Sequence, residues 1–166
     1  MTILKVFSVQ RAAVMLVFLC LLMTTPAVVA KPKVSTKTKT YIVDATTLAG
    51  LRKQLNQKGP HGHWAYTEWY VRWTGSCKLS VEITYTLPKH KNPGKLDPDV
   101  RKRWKAMVRA LTKHEHNHGD HGIRAAREIE KAKCANGDAI IKKWNGQDKA
   151  YDLRTNHGKT EGVVLR

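Results

Sequence analysis

Three residues of this chain, His114, Glu115 and His118, have the types and the spacing to do chemistry. They form the H-E-x-x-H string within His114-Glu115-His116-Asn117-His118. On an α-helix, residues four apart lie one turn apart on one face. Two imidazoles so placed can share one Zn²⁺ at about 2.0–2.1 Å each. Glu115, next to the first ligand, can take a proton from the water that such a metal activates. The expected chemistry is metal-assisted hydrolysis. His116 falls on the other side of such a helix and outside the site.

A catalytic zinc needs a third protein ligand and an open position. His121 shares the helical stripe of His114 but sits about 10 Å further along a straight helix. A break at Gly119 would relax that distance. Asp120 meets the same obstacle and suits an orienting role beside a ligand histidine. Glu128 would suit a site that takes a glutamate from a later helix, and lies too far along if the helix is continuous. His157, in the loop-like segment Tyr151–Gly158, is the preferred candidate, because a loop can fold back onto the open side of the metal. Tyr151 is a candidate to steady an oxyanion.

These residues need a helix to carry them. Asp97 and Pro98 have the types of an N-cap and a first helical residue. From there Trp104, Met107, Val108 and Leu111 recur at i, i+3, i+4, i+7, and the stripe continues onto His114, Glu115 and His118. The signature therefore lies on the buried side of an amphipathic helix. Gly119 and Gly122 mark a possible bend or break, after which Ala125, Ala126 and Ile129 resume the pattern.

Upstream, Tyr66 to Thr74 and Lys78 to Leu87 alternate apolar and polar residues about a Gly75-Ser76-Cys77 turn, which predicts a β-hairpin. The strand Lys78–Leu87 offers an edge on which a peptide could pair. Tyr41-Ile42-Val43 predicts a short strand, and Thr46 to Gln57 a helix stopped by Gly59-Pro60. His61 and His63 fall in that Gly/Pro loop. The predicted class is α+β, a small antiparallel sheet packed on the helix that carries the signature.

Compartment and charge narrow the function. Lys5 and Arg11 precede an apolar run from Ala12 to Met23, and Ala27-Val28-Val29-Ala30 offers small residues for cleavage. Residues 1–30 read as a secretory signal peptide, too short in its apolar part for a membrane span of about 20 residues. Cleavage after Ala30 leaves a secreted or periplasmic chain with no transmembrane anchor. Residues 31–40, basic and polar, read as a flexible lead-in, and residues 41–166 as one domain. Past the leader the only cysteines are Cys77 and Cys134. In an exported chain they suggest a disulfide rather than thiols or metal ligands, one that stabilises by about 4 kcal/mol in the chain-entropy model. The whole chain carries +17. Such charge draws anions, and export favours anionic cell-envelope polymers over nucleic acid.

The chain resembles the bacterial family of predicted secreted zinc-dependent proteases. The resemblance rests on the Tyr41-Ile-Val start, Gly59-Pro60, Trp69 and Trp73, Tyr85-Thr-Leu-Pro88, Trp104, the H-E-x-x-H string, and the closing Tyr151-Asp-x-x-Thr155-x-His157-Gly158. It implies a zincin-like fold and a zinc peptidase that acts on peptide or protein substrates. It also implies Glu115 as general base, one zinc on His114 and His118 with His157 in the terminal motif, and a Cys77–Cys134 pair. The alternatives are a non-catalytic periplasmic metal-binding protein, a cell-wall amidase and an envelope-binding module.

Overall fold

The computed structural model describes residues 31–166, and the expected signal peptide lies outside the described residues. In chain order the elements are β1 (Lys33–Val43), α1 (Leu48–Lys58), β2 (Tyr66–Trp73), β3 (Leu79–His90), α2 (Pro98–Lys131) and α3 (Gly137–Thr155). Short 3₁₀ turns at Pro60–Gly62, Pro93–Lys95 and Lys159–Glu161 join or end them. This is a mixed α+β chain: one three-stranded sheet and three helices. Among the described residues no helix is long and apolar enough to cross a membrane.

The sheet is mixed rather than antiparallel. Its order is β1-β3-β2, with β1 parallel and β2 antiparallel to β3. The predicted hairpin is present, with Trp69 opposite Ile83 and Val71 opposite Val81. β3, however, is the central strand, so it has no free edge for a peptide; the edges belong to β1 and β2.

Residues 31–40, read as a flexible lead-in, instead form most of β1. Val34, Thr36, Thr38 and Thr40 alternate with Lys33, Ser35, Lys37 and Lys39. β-branched residues favour extended backbone, and lysines on an edge strand discourage pairing with another chain. The basic composition concealed a strand pattern. α1 starts where Thr47 Oγ1 accepts from the Gly50 amide at 3.1 Å. It stops at Gly59, where a Cβ would lie 1.9 Å from the His63 carbonyl oxygen.

α2 runs unbroken for 34 residues, about 51 Å at 1.5 Å per residue. Asp97 stands at its N-cap without a side-chain capping bond. The two glycines that suggested a break permit close packing instead. A Cβ on Gly119 would lie 2.3 Å from the Tyr85 hydroxyl, and one on Gly122 lies 2.8 Å from Trp69 Cγ. β2 and β3 thus press their inner face directly on the helix.

Two apolar clusters flank the middle of α2. One gathers Val43, Leu51, Leu55, Trp104, Met107 and Leu111, and the C-terminal Val163 and Leu165. The other gathers Val81, Ile83, Ala126, Ile129 and Ile140. His114, Glu115 and His118 lie between them on the same buried stripe. A disulfide joins Cys77 of the hairpin turn to Cys134 beyond the end of α2, tying the sheet to the helix.

Candidate metal centre

α2 supplies His114, Glu115 and His118, all buried. α3 packs across them and supplies Asp152 from its last turns. His114 Nε2 and His118 Nε2 are 3.3 Å apart. Asp152 Oδ1 lies 3.1 Å from the first and 3.2 Å from the second. Three donor atoms thus form a nearly equilateral triangle. Ligands at about 2.0–2.1 Å from a tetrahedral zinc stand about 3.3–3.4 Å apart. The triangle has the dimensions of one face of that tetrahedron.

The far side of each histidine fits the same reading. His114 Nδ1 is 2.8 Å from Glu161 Oε2, and His118 Nδ1 is 3.0 Å from Asp148 Oδ1. A carboxylate only accepts, so each Nδ1 carries the hydrogen. In the neutral ring each Nε2 then presents its lone pair to the triangle. A carboxylate behind each ligand histidine fixes the tautomer and the ring plane. Two lone pairs and a carboxylate oxygen converging within 3.3 Å repel one another. A cation or protons among them relieve that repulsion.

In the metal-free protein, protons do so. Burial by itself would lower the His118 pKa, but hydrogen bonds with Asp148 and Asp152 outweigh it and raise it to about 10. His114 is raised in the same way, burial being opposed by Asp152 and Glu161. Burial would raise Asp152, but the two histidines hold it well below the usual carboxylate range. A metal at the triangle would therefore compete with protons for the same nitrogens.

Glu115 stands beside the triangle. Its Oε2 accepts from Thr67 Oγ1 at 2.6 Å, from edge strand β2. Burial raises its pKa, and the Thr67 bond partly opposes this. A carboxylate moved up toward neutrality is the better for taking a proton. Glu115 and the triangle residues line one open cleft of about 720 Å³, with Thr67 and His63 on its other walls.

The other expected residues have different places. His157 lines the cleft but does not complete the triangle. Its Nδ1 is 3.7 Å from Asp152 Oδ1 and its side chain is 53% exposed. Asp152 occupies the position proposed for it, because Tyr151–Thr155 is the end of α3 rather than a loop. Helix α3 delivers the residue five positions earlier. Tyr151 does not face the cleft. Its hydroxyl donates to Glu161 and accepts from Asn117, and its ring stacks on His114 at 4.8 Å. Burial pushes that hydroxyl up to about 12. Tyr151 thus packs on the His114 ring and commits its hydroxyl to Glu161.

His121 donates to Asp148, which also takes a 2.6 Å bond from Trp69 Nε1. His118, His121 and Asp148 form a second group of possible ligand atoms. There His118 would use Nδ1, the nitrogen opposite the triangle, so Asp148 acts as the orienting carboxylate. Asp120, expected in that role, is exposed. Glu128 pairs with Lys143 and Trp144 instead. His116 packs on Tyr85 away from the site.

Asp148, Asp152, Thr67 and Glu161 were not anticipated. A signal for two of them existed: Asp148, Tyr151, Asp152 and Thr155 recur at i, i+3, i+4, i+7, a polar helical face. Thr67 and Glu161 had no local signal.

The profile of a family described as "Bacterial protein of unknown function (DUF922)" matches residues 38–158, which include every residue of the triangle. No curated protein and no solved structure matches the chain.

Proposed function

The chain belongs to this bacterial family of unknown function, and within it we propose that it is an exported zinc-dependent metallopeptidase with a zincin-like site on α2. The observation that carries this is the triangle of His114 Nε2, His118 Nε2 and Asp152 Oδ1, with edges of 3.1–3.3 Å, beside the buried Glu115 in an open cleft. The Cys77–Cys134 disulfide supports an oxidising compartment.

His114, His118 and Asp152 would hold one zinc. Zinc, when bound, polarises a carbonyl and lowers the pKa of water to about 7. Glu115 takes one proton from the attacking water, whose oxygen forms the new bond to the carbonyl carbon. Glu115 then gives that proton to the amine as the C–N bond breaks. Thr67, donating to Glu115 Oε2, holds the carboxylate toward the cleft. Asp148 and Glu161 keep the two rings in the ligand tautomer.

β2 is the edge strand along this cleft, since Tyr66 and Thr67 line it and β3 is internal. A substrate peptide in extended form would pair there.

The test is zinc content by elemental analysis, with cleavage of denatured casein before and after chelation. One zinc per chain and chelator-sensitive cleavage are expected. Glu115→Gln should keep the metal and lose cleavage. A non-catalytic metal-binding protein would keep all its properties in that variant, and a cell-wall amidase would hydrolyse peptidoglycan fragments but not casein.

A further inference from the structure

We infer that His157 is a catalytic residue: its imidazole donates a hydrogen bond to the oxyanion that develops on the scissile carbonyl. The inference rests on the peptidase reading above.

A carbonyl under attack gains negative charge on its oxygen, and a preorganised donor aimed at that oxygen contributes about 10²–10³-fold in rate. Neither Glu115 nor its neighbour Thr67 provides one. Glu115 only accepts, and the Thr67 hydroxyl is committed to it. Tyr151, the residue first expected in the role, has its hydroxyl committed to Glu161 and lies outside the cleft lining. The Trp64 indole donates to Asn56. Lys149 and Lys159 reach the cleft on long, exposed stems.

His157 differs from these in three ways. It lines the same cleft, with Nδ1 3.7 Å from Asp152 Oδ1, the atom that closes the ligand triangle. It is therefore next to the metal position without being a ligand. Among the described residues its ring makes no hydrogen bond, so it is free to donate.

Its backbone is also clamped. The His157 amide donates to the Asp152 carbonyl at 2.8 Å. The next amide, of Gly158, donates to Thr155 Oγ1 at 3.1 Å. His157 has φ 51°, a left-handed value that a non-glycine residue holds only when its surroundings impose it. Gly158 follows at φ +75°, where a Cβ would lie 2.6 Å from Val163 Cγ2 and 3.1 Å from Cγ of His114. The turn carrying His157 thus packs directly on a ligand ring. The backbone at His157 is thereby held beside the triangle.

The test compares the zinc-loaded wild type with His157→Ala and His157→Gln. Three quantities are read: zinc content, affinity for a peptide phosphonamidate, and affinity for the matching peptide hydroxamate. The phosphonamidate carries an anionic tetrahedral centre, and the hydroxamate gains its affinity by chelation. Zinc should stay at one per chain in both variants. Phosphonamidate affinity should fall by 30-fold or more in His157→Ala, with partial recovery in His157→Gln, whose amide can donate. Hydroxamate affinity should change less than about threefold. If casein is a substrate, kcat should fall by about 10² with KM nearly unchanged. Loss of zinc from either folded variant would make His157 a ligand and overturn the inference. Equal phosphonamidate binding in wild type and variants, or none in the wild type, would overturn it too. A wild type that binds phosphonamidate through His157 but cleaves no peptide bond would instead count against the peptidase reading alone.

Discussion

Asp152 gives up part of the water that an exposed carboxylate keeps, and what sits in the triangle takes its place. Its removal should therefore be felt as metal affinity before anything else. Asp152→Ala is expected to lower zinc affinity by far more than Asp148→Ala. Loss of an orienting carboxylate typically costs 10–100-fold, which is the expectation for Asp148→Ala, measured by competition with a chromophoric chelator. Equal affinities in the two variants would deny Asp152 its place as ligand. His121→Ala should leave zinc content unchanged, because His121 bonds to Asp148 and contributes no atom to the triangle. At this scale His114, Glu115 and His118 were legible in the chain, since their relation is set by one turn of helix. Asp152 was not, because its partners stand 34 and 38 positions earlier.

The central helix works as a rail only because the sheet lies close on it. Gly122 is the contact that decides this. Alanine there would gain up to about 1 kcal/mol of helix propensity. Its Cβ would, however, meet Trp69 at Cβ and Cγ, the root of the side chain, which cannot swing away. Overpacking of that kind costs about 1–3 kcal/mol, so Gly122→Ala is expected to lower the melting temperature by several degrees. Trp69 also holds Asp148, so the same variant should bind zinc more weakly. A melt equal to or above that of wild type would contradict this packing. β1 admits a parallel test. A flexible tail can be removed without consequence, whereas deletion of residues 31–40 here strips most of the ladder from β3. The expected loss is on the order of 3 kcal/mol or more, at about 0.5–1.5 kcal/mol per bond, read by urea unfolding. The alternation of lysine and threonine that encodes β1 is visible in the chain, but charge was given more weight there than period.

The whole molecule combines a stapled fold with a strongly basic surface. Replacing Cys77 and Cys134 with serine should destabilise it by about 2–4 kcal/mol, seen as a lower urea midpoint. The chain-entropy account puts it at the top of that range, about 4 kcal/mol, because the bridge spans 57 positions. A net charge of +17 for the full chain predicts adhesion to an anionic polymer such as polyglutamate. That adhesion should collapse as salt rises past roughly 0.3 M, where the Debye length drops to a few ångströms. It should be indifferent to chelators, whereas the proposed metal-dependent cleavage should respond to chelators more than to salt.

The identity of the helix, the face it buries and the one-turn relation of His114 to His118 could all be read along the chain. They depend on a 3.6-residue period and on the transfer of apolar side chains out of water, and both act over a few neighbouring residues. The third donor atom of the triangle, the carboxylates behind each imidazole, the edge strand at the cleft and the parallel pairing of β1 could not. Each depends on where one element packs against another. That placement is set by pairs such as Gly122 with Trp69 and Gly158 with His114, whose contact leaves no periodic mark in the sequence. His157 shows the difference most plainly: its segment marked it as part of the site, and the packing of α3 put it beside the triangle of donor atoms rather than at a corner of it.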